Sequence, residues 1–77
     1  MDGEYNMALK NRFVNDVEKV NEPKHLIVAV KLPTGATEII HNTEFLQEKI
    51  EYYKEKYDDD FRLKTAPAIQ IIDYMLI

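Results

Sequence analysis

Hydrophobic residues between positions 44 and 57 recur at the spacing of one face of an α-helix. Four of them follow one another at steps of four, three and four residues: Leu46, Ile50, Tyr53 and Tyr57. Four acidic residues occupy the opposite line at the same steps: Glu44, Glu48, Glu51 and Glu55. Steps of this size place each set on a single side of a helix. The pattern therefore predicts one amphipathic helix with an apolar inner face and an acidic outer face.

The residues that flank this segment indicate where the helix begins and ends. The side chain of Asn42 or Thr43 is expected to cap its N-terminus. Aspartate near a helix C-terminus opposes the helix dipole, so we predict that the helix ends near Tyr57. Residues 58–60 are all aspartate and are assigned to a loop.

A second amphipathic helix is predicted from about Glu4 to Val20. Its apolar side chains also recur at helical steps: Tyr5, Leu9, Phe13, Val17 and Val20. We expect Asp2 to cap its start. Because Pro23 disfavours helical geometry in the residue before it, the helix is predicted to end at Asn21.

A β-hairpin is predicted between the two helices. Residues 25–32 are rich in β-branched side chains, residues 33–35 form a turn of Pro, Thr and Gly, and residues 36–41 return as the second strand. One face of the first strand is expected to join the core: Leu26, Val28, Val30 and Leu32. The opposite face is not fully polar, since it carries His25, Ile27, Ala29 and Lys31.

The hairpin has two possible registers. If Leu32 pairs with Ala36, Ile40 joins the core face and Ile39 lies on the second face. If Pro33 pairs with Ala36, the two isoleucines exchange places, because a slip of one residue moves every side chain to the other face. Either register leaves one isoleucine on the second face. Helices on one side of the sheet would therefore leave an apolar patch on the other.

The last third of the chain is predicted to form two more strands. Residues 61–65 alternate between apolar and basic side chains, which is typical of a strand with one solvated face. Residues 65–67, Thr, Ala and Pro, break this strand. Residues 69–77 are rich in isoleucine and are interpreted as the last strand. The alternative is a helix with Pro67 in its first turn.

Together these elements predict one α+β domain spanning residues 1–77. Its order is α-β-β-α-β-β, a two-layer sandwich with both helices packed on one face of a mostly antiparallel four-stranded sheet. The connection through the second helix leaves open one parallel strand pair. Such a pair would have a right-handed crossover.

The size of the chain and its lack of cysteine suggest association with another subunit. A domain of 77 residues buries only about 60% of the surface that its unfolded chain exposes. The absence of cysteine excludes disulfide bonds and a thiolate zinc site. A second copy is the simplest remaining source of stability, so we expect a homodimer.

The net charge limits the classes of partner that we expect, and the N-terminal residues and the longest apolar run indicate the location. A net charge of −4 and a pI near 5.0 argue against nonspecific attraction to nucleic acid or anionic membrane, and they suit a basic protein partner. The N-terminal residues are acidic where a signal peptide is basic. The longest nearly apolar run, residues 69–77, is shorter than the roughly 20 residues that span a bilayer. We expect a cytoplasmic protein without a membrane segment.

The inventory of reactive side chains does not favour an enzyme. The chain has neither serine nor cysteine, and its two glycines cannot form a glycine-rich phosphate loop. His25 and His41 are diagonal on one face in the first hairpin register, roughly 7–8 Å apart at Cβ, but they lack metal-site spacing. Residues 58–60 lack the spaced ligands and central glycine of a calcium loop. We therefore expect no catalytic residue, no metal and no cofactor.

The acidic face of the central helix is the first candidate for binding a partner. Like charges four residues apart destabilise a helix by a few tenths of a kcal/mol per pair, and nothing in the predicted fold requires them. The hypothesis is that these side chains dock onto a basic surface, and the alternative is an ordinary solvated face. The predicted partner-binding residues are Glu44, Glu48, Glu51, Glu55, Asp58 and Asp59.

A flank of the same helix suggests a second function, binding of single-stranded nucleic acid. Tyrosine can stack on bases, and lysine and arginine can pair with phosphates. The net negative charge weighs against this alternative, and such a flank is more often the edge of the core. The residues concerned are Lys49, Tyr52, Lys56, Arg62 and Lys64.

The C-terminal third of the chain also carries a resemblance. It contains the pair Tyr52-Tyr53, the segment YDDDFRLK at 57–64, Ile69, Ile71 and the segment DYM at 73–75. These residues resemble the ends of small proteins encoded by phages and prophages of Gram-positive bacteria. The resemblance implies a bacterial host cytoplasm and an accessory protein that binds a host or phage macromolecule. It assigns no activity to any residue.

Overall fold

The computed structural model describes residues 8–77 as an α+β fold with two helices and a four-stranded sheet. In chain order the elements are α1 (Leu9–Lys19), β1 (Leu26–Lys31), β2 (Thr37–Asn42), α2 (Leu46–Lys56), β3 (Arg62–Leu63) and β4 (Ala66–Leu76). The strand order is β2-β1-β4-β3, and each neighbouring pair is antiparallel. The predicted fold class and element order are confirmed. The parallel pair left open by the sequence does not form, because α2 carries the chain from one edge of the sheet to the other.

The hairpin adopts the first of its two predicted registers. The N–H of Leu32 donates to the carbonyl of Ala36 at 2.8 Å, and Val28 lies opposite Ile40. Ile40 therefore faces the helices, whereas Ile39 lies on the second face with 63% of its surface exposed.

The core fills the space between the helices and the inner face of the sheet. Phe13 of α1 is fully buried, and its ring centroid lies 5.5 Å from that of Phe61 and 5.3 Å from that of Tyr74. Complete burial of a side chain of this size stabilises the fold by about 1.5–3 kcal/mol. The other buried hydrophobic residues are Leu26, Val28, Val30, Ile50, Tyr53, Tyr57, Phe61 and Ile71.

The start of α2 differs from the prediction. Phe45 adopts a left-handed backbone, with φ of 55° and ψ of 43°, so the helix begins at Leu46 and has no side-chain cap. The predicted caps, Asn42 and Thr43, are wrong. Asn42 is instead buried, and its Nδ2 donates to the carbonyl of Leu26 at 3.1 Å. Its amide ties the end of β2 to β1 rather than capping the helix.

The end of α2 agrees with the prediction that the helix stops near Tyr57. The helix stops at Lys56, and Tyr57 has an extended backbone that bridges to Leu63. Tyr57 is buried as predicted, but it belongs to a strand-like bridge and not to the helical face. Lys10 of α1 donates from Nζ to the carbonyls of Lys54, at 2.7 Å, and Tyr57, at 2.5 Å. This places a cation at the C-terminal end of α2, where it complements the helix dipole.

In its described part, α1 is shorter than predicted. The helix runs from Leu9 to Lys19, and Val20 already has an extended backbone. The predicted cap, Asp2, and the first predicted turn, residues 4–7, lie outside the described residues.

The two C-terminal strands form a hairpin that begins earlier than expected. β3 contains only Arg62 and Leu63, and Thr65 belongs to the turn. β4 starts at Ala66, so Pro67 lies within a strand and does not interrupt the chain as predicted. Proline is tolerated here because the register of β3 and β4 shifts at this point. The strand assignment for the last segment is confirmed, and the helical alternative is wrong.

Candidate interaction surfaces

The four glutamates predicted to form an acidic face, Glu44, Glu48, Glu51 and Glu55, are all exposed; we call this set the acidic stripe. The last three lie on α2. Glu44 precedes the left-handed residue Phe45, so it belongs to the loop before the helix and not to the helical line predicted for it.

The acidic stripe has little internal charge compensation. Within residues 8–77, Glu51 is its only member in an ion pair, with 3.7 Å between its Oε2 and the Nζ of Lys54. An exposed pair of this kind is worth about 1 kcal/mol or less. Glu48 lies in the first turn of α2, where a carboxylate is favoured by the helix dipole. Glu55 has no such role in the fold, so its charge is free for a partner.

The two aspartates assigned to the same surface differ from one another. The Oδ1 atom of Asp58 accepts hydrogen bonds from the backbone N–H groups of Asp60 and Arg62, both at 2.9 Å. The side chain of Asp58 therefore shapes the turn between α2 and β3. Asp59 is exposed and makes no such contact in the described part of the chain.

Phe45 shares the helical line of Lys49, Tyr52 and Lys56, for which the sequence left two alternatives, a surface that stacks on bases and the edge of the core. In the structure 70% of the residue is exposed. A bulky residue with positive φ is uncommon, since the left-handed conformation costs about 1–2 kcal/mol. Phe61 also has positive φ, at 62°, but it is buried in the core. Only Phe61 recovers this cost through burial.

The basic and aromatic flank is brought together only in part. Tyr52, Lys56 and Lys64 line one groove of about 430 Å³, with Glu55, Leu63 and Thr65. The backbone N–H of Lys64 donates to the carbonyl of Lys56 at 2.9 Å, which places the two lysines side by side. Lys49 does not line this groove. Arg62 lines a different one and donates to the carbonyl of Pro67 at 3.1 Å.

The second face of the sheet, which we call the open face, carries the apolar patch that the sequence predicted. Ile27, Ala29, Ile39 and Met75 line a shallow depression of about 150 Å³ with Asp73 and Tyr74. Met75 is 54% exposed, and it was not included in the prediction. Neither α1 nor α2 covers this face, because both pack on the opposite side.

The two histidines meet at one end of the open face. The Nδ1 of His25 and the Nε2 of His41 are 2.8 Å apart and share a hydrogen bond, in which the N–H of one ring donates to the bare nitrogen of the other. Their ring centroids are 5.0 Å apart. Within residues 8–77 no group of three or more side chains of His, Cys, Asp or Glu is arranged to hold a metal ion.

The sequence matches no protein-family model, no curated protein and no solved structure in the comparisons made. Neither helix in the described part of the chain is long and apolar enough to cross a membrane. The surfaces described above are therefore the basis for assigning a function.

Proposed function

We propose that the protein is a non-enzymatic accessory protein that binds a basic protein partner through the acidic stripe and associates with itself through apolar surface. The observation that carries this proposal is the exposure of Glu44, Glu48 and Glu55, none of which has an ion pair within residues 8–77. The resemblance of its C-terminal third supports a phage or prophage origin and action in the host cytoplasm.

Charge and shape both support a basic partner for the acidic stripe. A net charge of −4 attracts a basic surface over a distance set by the Debye length, about 10 Å at 0.1 M salt. Phe45 adds an exposed aromatic ring beside Glu44 at the start of α2. Aromatic side chains that enter a pocket contribute much of the free energy of binding in protein interfaces. The glutamates would then provide attraction and orientation, and Phe45 the anchor.

A second candidate function is binding of single-stranded nucleic acid. The observation in its favour is the shared groove of Tyr52, Lys56 and Lys64, where a base and a phosphate would meet an aromatic ring and two cations. Glu55 on the same groove and the net negative charge oppose it. We therefore place it second.

Affinity capture from a lysate of a Gram-positive host tests the first candidate. The double variant Glu48→Gln/Glu55→Gln removes two stripe charges that form no ion pair within residues 8–77. The control Glu18→Gln/Glu22→Gln removes two charges from exposed positions outside it. We expect a partner retained by the wild type and the control, released by raised salt and absent with the stripe variant. Equal capture by all three proteins would remove the acidic stripe from the proposal.

Fluorescence anisotropy with a labelled single-stranded oligonucleotide tests the second candidate. The charge variant Lys56→Gln/Lys64→Gln is compared with Lys19→Gln/Lys31→Gln, which loses two exposed lysines far from the groove along the chain. Binding at low salt that is lost only in the first variant would support nucleic acid as the ligand. An anisotropy that does not rise with wild-type protein at low salt would exclude this candidate.

A further inference from the structure

In the part of the chain that the structure describes, the outer edge of β2 presents a row of backbone groups with no strand beside them. β2 is an edge strand in the order β2-β1-β4-β3. The hydrogen bond from Leu32 to Ala36 marks a bonded pair, and bonded and non-bonded pairs alternate along an antiparallel ladder. The pairs that involve Glu38 and Ile40 are therefore bonded to β1. The intervening residues, Thr37, Ile39 and His41, direct their N–H and C=O groups outward.

The other side of β1 supports this assignment. His25 and Ile77 exchange two hydrogen bonds, of 3.1 and 3.0 Å, so residues 25, 27 and 29 bond to β4. Residues 26, 28 and 30 are thus left to bond to β2, as the alternation requires. Within residues 8–77, three successive outward pairs of donor and acceptor on β2 have no neighbouring strand.

The opposite edge of the sheet is protected in ways that β2 is not. β3 is only two residues long, and Pro67 of β4 has no backbone N–H. The Oδ1 of Asp73 accepts the N–H of Tyr74 at 2.9 Å, which occupies a donor on the free edge of β4. Short strands, proline and charged side chains are the features that prevent edge strands from pairing with other chains.

β2 has only one of these features, the charged side chain of Glu38. Its register with β1 is uninterrupted from Leu26 opposite Asn42 to Lys31 opposite Thr37, so no bulge bends its edge away. It contains neither proline nor lysine, and Ile39 at its centre is 63% exposed. An exposed edge of this kind is a template for another strand.

We propose that β2 pairs in antiparallel orientation with β2 of a second copy of the chain, with the two-fold axis at Ile39. In this register Ile39 lies opposite Ile39 of the second copy, and Thr37 lies opposite His41. All three outward residues are then bonded, which gives about six main-chain hydrogen bonds, two for each pair. If one strand is shifted by two residues relative to the other, only two of the three outward residues of each copy find a partner within β2. The two-fold arrangement centred at Ile39 therefore forms the most hydrogen bonds.

The side chains of β2 are compatible with this self-pairing. Ile39 meets its counterpart on the open face, and Glu38 meets Ile40 of the second copy, so no like charges lie directly opposite. The joined sheets bring the open faces of the two copies side by side as one surface. A single strand pair buries less than the roughly 1,600 Å² of a standard interface, so we expect a dimer with a dissociation constant in the micromolar range.

This inference deepens the self-association part of the proposed function and does not involve the acidic stripe. The proposed main-chain contacts are made by β2 (Thr37–Asn42), which contains no residue of the acidic stripe. An experiment can therefore contradict the β2 pairing without contradicting partner binding by the acidic stripe, and the reverse. We expect the variant that loses dimerisation to retain the captured partner and Glu48→Gln/Glu55→Gln to retain dimerisation.

Sedimentation velocity at increasing concentration tests the pairing with Ile39→Pro. Proline removes an N–H that points away from β1, which an edge strand tolerates. The control is Met75→Lys, which changes an exposed residue of the open face away from the β2 edge. We expect the wild type and Met75→Lys to dimerise at high micromolar concentration and Ile39→Pro to stay monomeric. Circular dichroism checks that each variant is folded, and Ile39→Lys replaces Ile39→Pro if proline prevents folding.

Three outcomes would overturn the proposal. The first is a wild-type protein that stays monomeric up to millimolar concentration. The second is a dimer that persists in folded Ile39→Pro or Ile39→Lys. The third is loss of the dimer in both the edge variant and Met75→Lys, which would assign the interface to the open face as a whole.

Discussion

The phenol of Tyr74 on β4 donates a hydrogen bond to the carboxylate of Asp16 on α1. The ring of Tyr74 also lies edge-on to Phe13, with 5.3 Å between the centroids and 87° between the planes. One tyrosine therefore connects α1 to the sheet by both an apolar and a polar contact. The polar contact orients the helix over the core.

A double-mutant cycle measures this connection. A hydrogen bond to a charged group contributes about 1.5–3 kcal/mol to stability. The hydrogen bond between Tyr74 and Asp16 is partly buried, so solvent screens it only in part. We expect Tyr74→Phe and Asp16→Ala each to lower the free energy of unfolding by about 1–2 kcal/mol, with a coupling of at least about 0.5 kcal/mol. Urea denaturation of the four proteins gives these values. Additive effects would show that the two side chains act independently.

Two buried tyrosines, Tyr53 and Tyr57, and the partly buried Tyr74 make the fold sensitive to alkaline pH. Burial raises the pKa of Tyr57 to about 12, and the nearby Tyr52 adds to this shift. Burial also raises the pKa of Tyr53, and the pKa of Tyr74 is raised by burial and then by its hydrogen bond to Asp16. In the unfolded chain all three would ionise near pH 10.

The direction of the pH effect follows from these shifts. Below pH 10 each tyrosine is protonated in both states, so its contribution to stability is complete. Between pH 10 and about 12 the unfolded chain loses the Tyr57 proton that the fold retains, so stability falls by at most about 1.4 kcal/mol per pH unit from this residue. The raised pKa values of Tyr53 and Tyr74 lower stability in the same direction as the pH rises. Urea denaturation from pH 8 to pH 11 should show this decline, with a shallower slope in Tyr57→Phe. The same slope in both proteins would contradict the assignment for Tyr57.

The sequence pattern predicted which faces are buried better than it predicted where elements end. The spacing of Ile50 and Tyr53 is a local property of the helix, and both residues are buried as expected. The start of α2 was missed because it depends on Phe45, whose left-handed backbone leaves no helical signature in the sequence. Asn42 can cap a helix or bridge two strands, and the pairing of β2 with β1 decides between these roles.

For the candidate surfaces too, the sequence predicted the features that depend on local periodicity and missed those that depend on tertiary contacts. Exposure of Glu48, Glu51 and Glu55 follows directly from helical periodicity. The proximity of Lys64 to Tyr52 and Lys56 does not, because it requires the β3–β4 turn to fold back against the end of α2. The sequence also did not predict the structural role of Asp58, because a run of aspartates predicts a turn without showing which carboxylate accepts the hydrogen bonds.

Asp58 provides a prediction about that turn. Its Oδ1 satisfies two backbone N–H groups, so Asp58→Ala should lower the free energy of unfolding by about 1–2 kcal/mol. Asp58→Asn keeps an oxygen acceptor and should recover most of this loss. Asp59→Ala is the matched control, because that side chain is exposed, and it should change stability by less than about 0.5 kcal/mol. Equal losses for Asp58→Ala and Asp59→Ala would show that the turn does not depend on Asp58.

Phe45 links stability to the proposed function. The left-handed backbone of Phe45 lowers the stability of the fold by about 1–2 kcal/mol, and glycine avoids this cost. Glycine also increases the conformational freedom of the unfolded chain, which lowers stability by about 0.4–1 kcal/mol. Because 70% of the residue is exposed, removal of its side chain loses little buried surface. We therefore expect Phe45→Gly to raise the free energy of unfolding by up to about 1 kcal/mol. Phe61→Gly, at the other left-handed phenylalanine, should instead lower it by about 3 kcal/mol or more, since that ring is buried.

The same substitution separates a binding role for Phe45 from a structural one. If the ring anchors a partner beside the acidic stripe, Phe45→Gly and Phe45→Ala should both reduce capture of the partner from host lysate, although only glycine relieves the backbone. Urea denaturation and lysate capture are measured on the same preparations. A stabilised Phe45→Gly that still captures the partner at the wild-type level would leave the glutamates as the sole contacts. A Phe45→Gly that is less stable than Phe45→Ala would show that the left-handed conformation is not a cost to the fold.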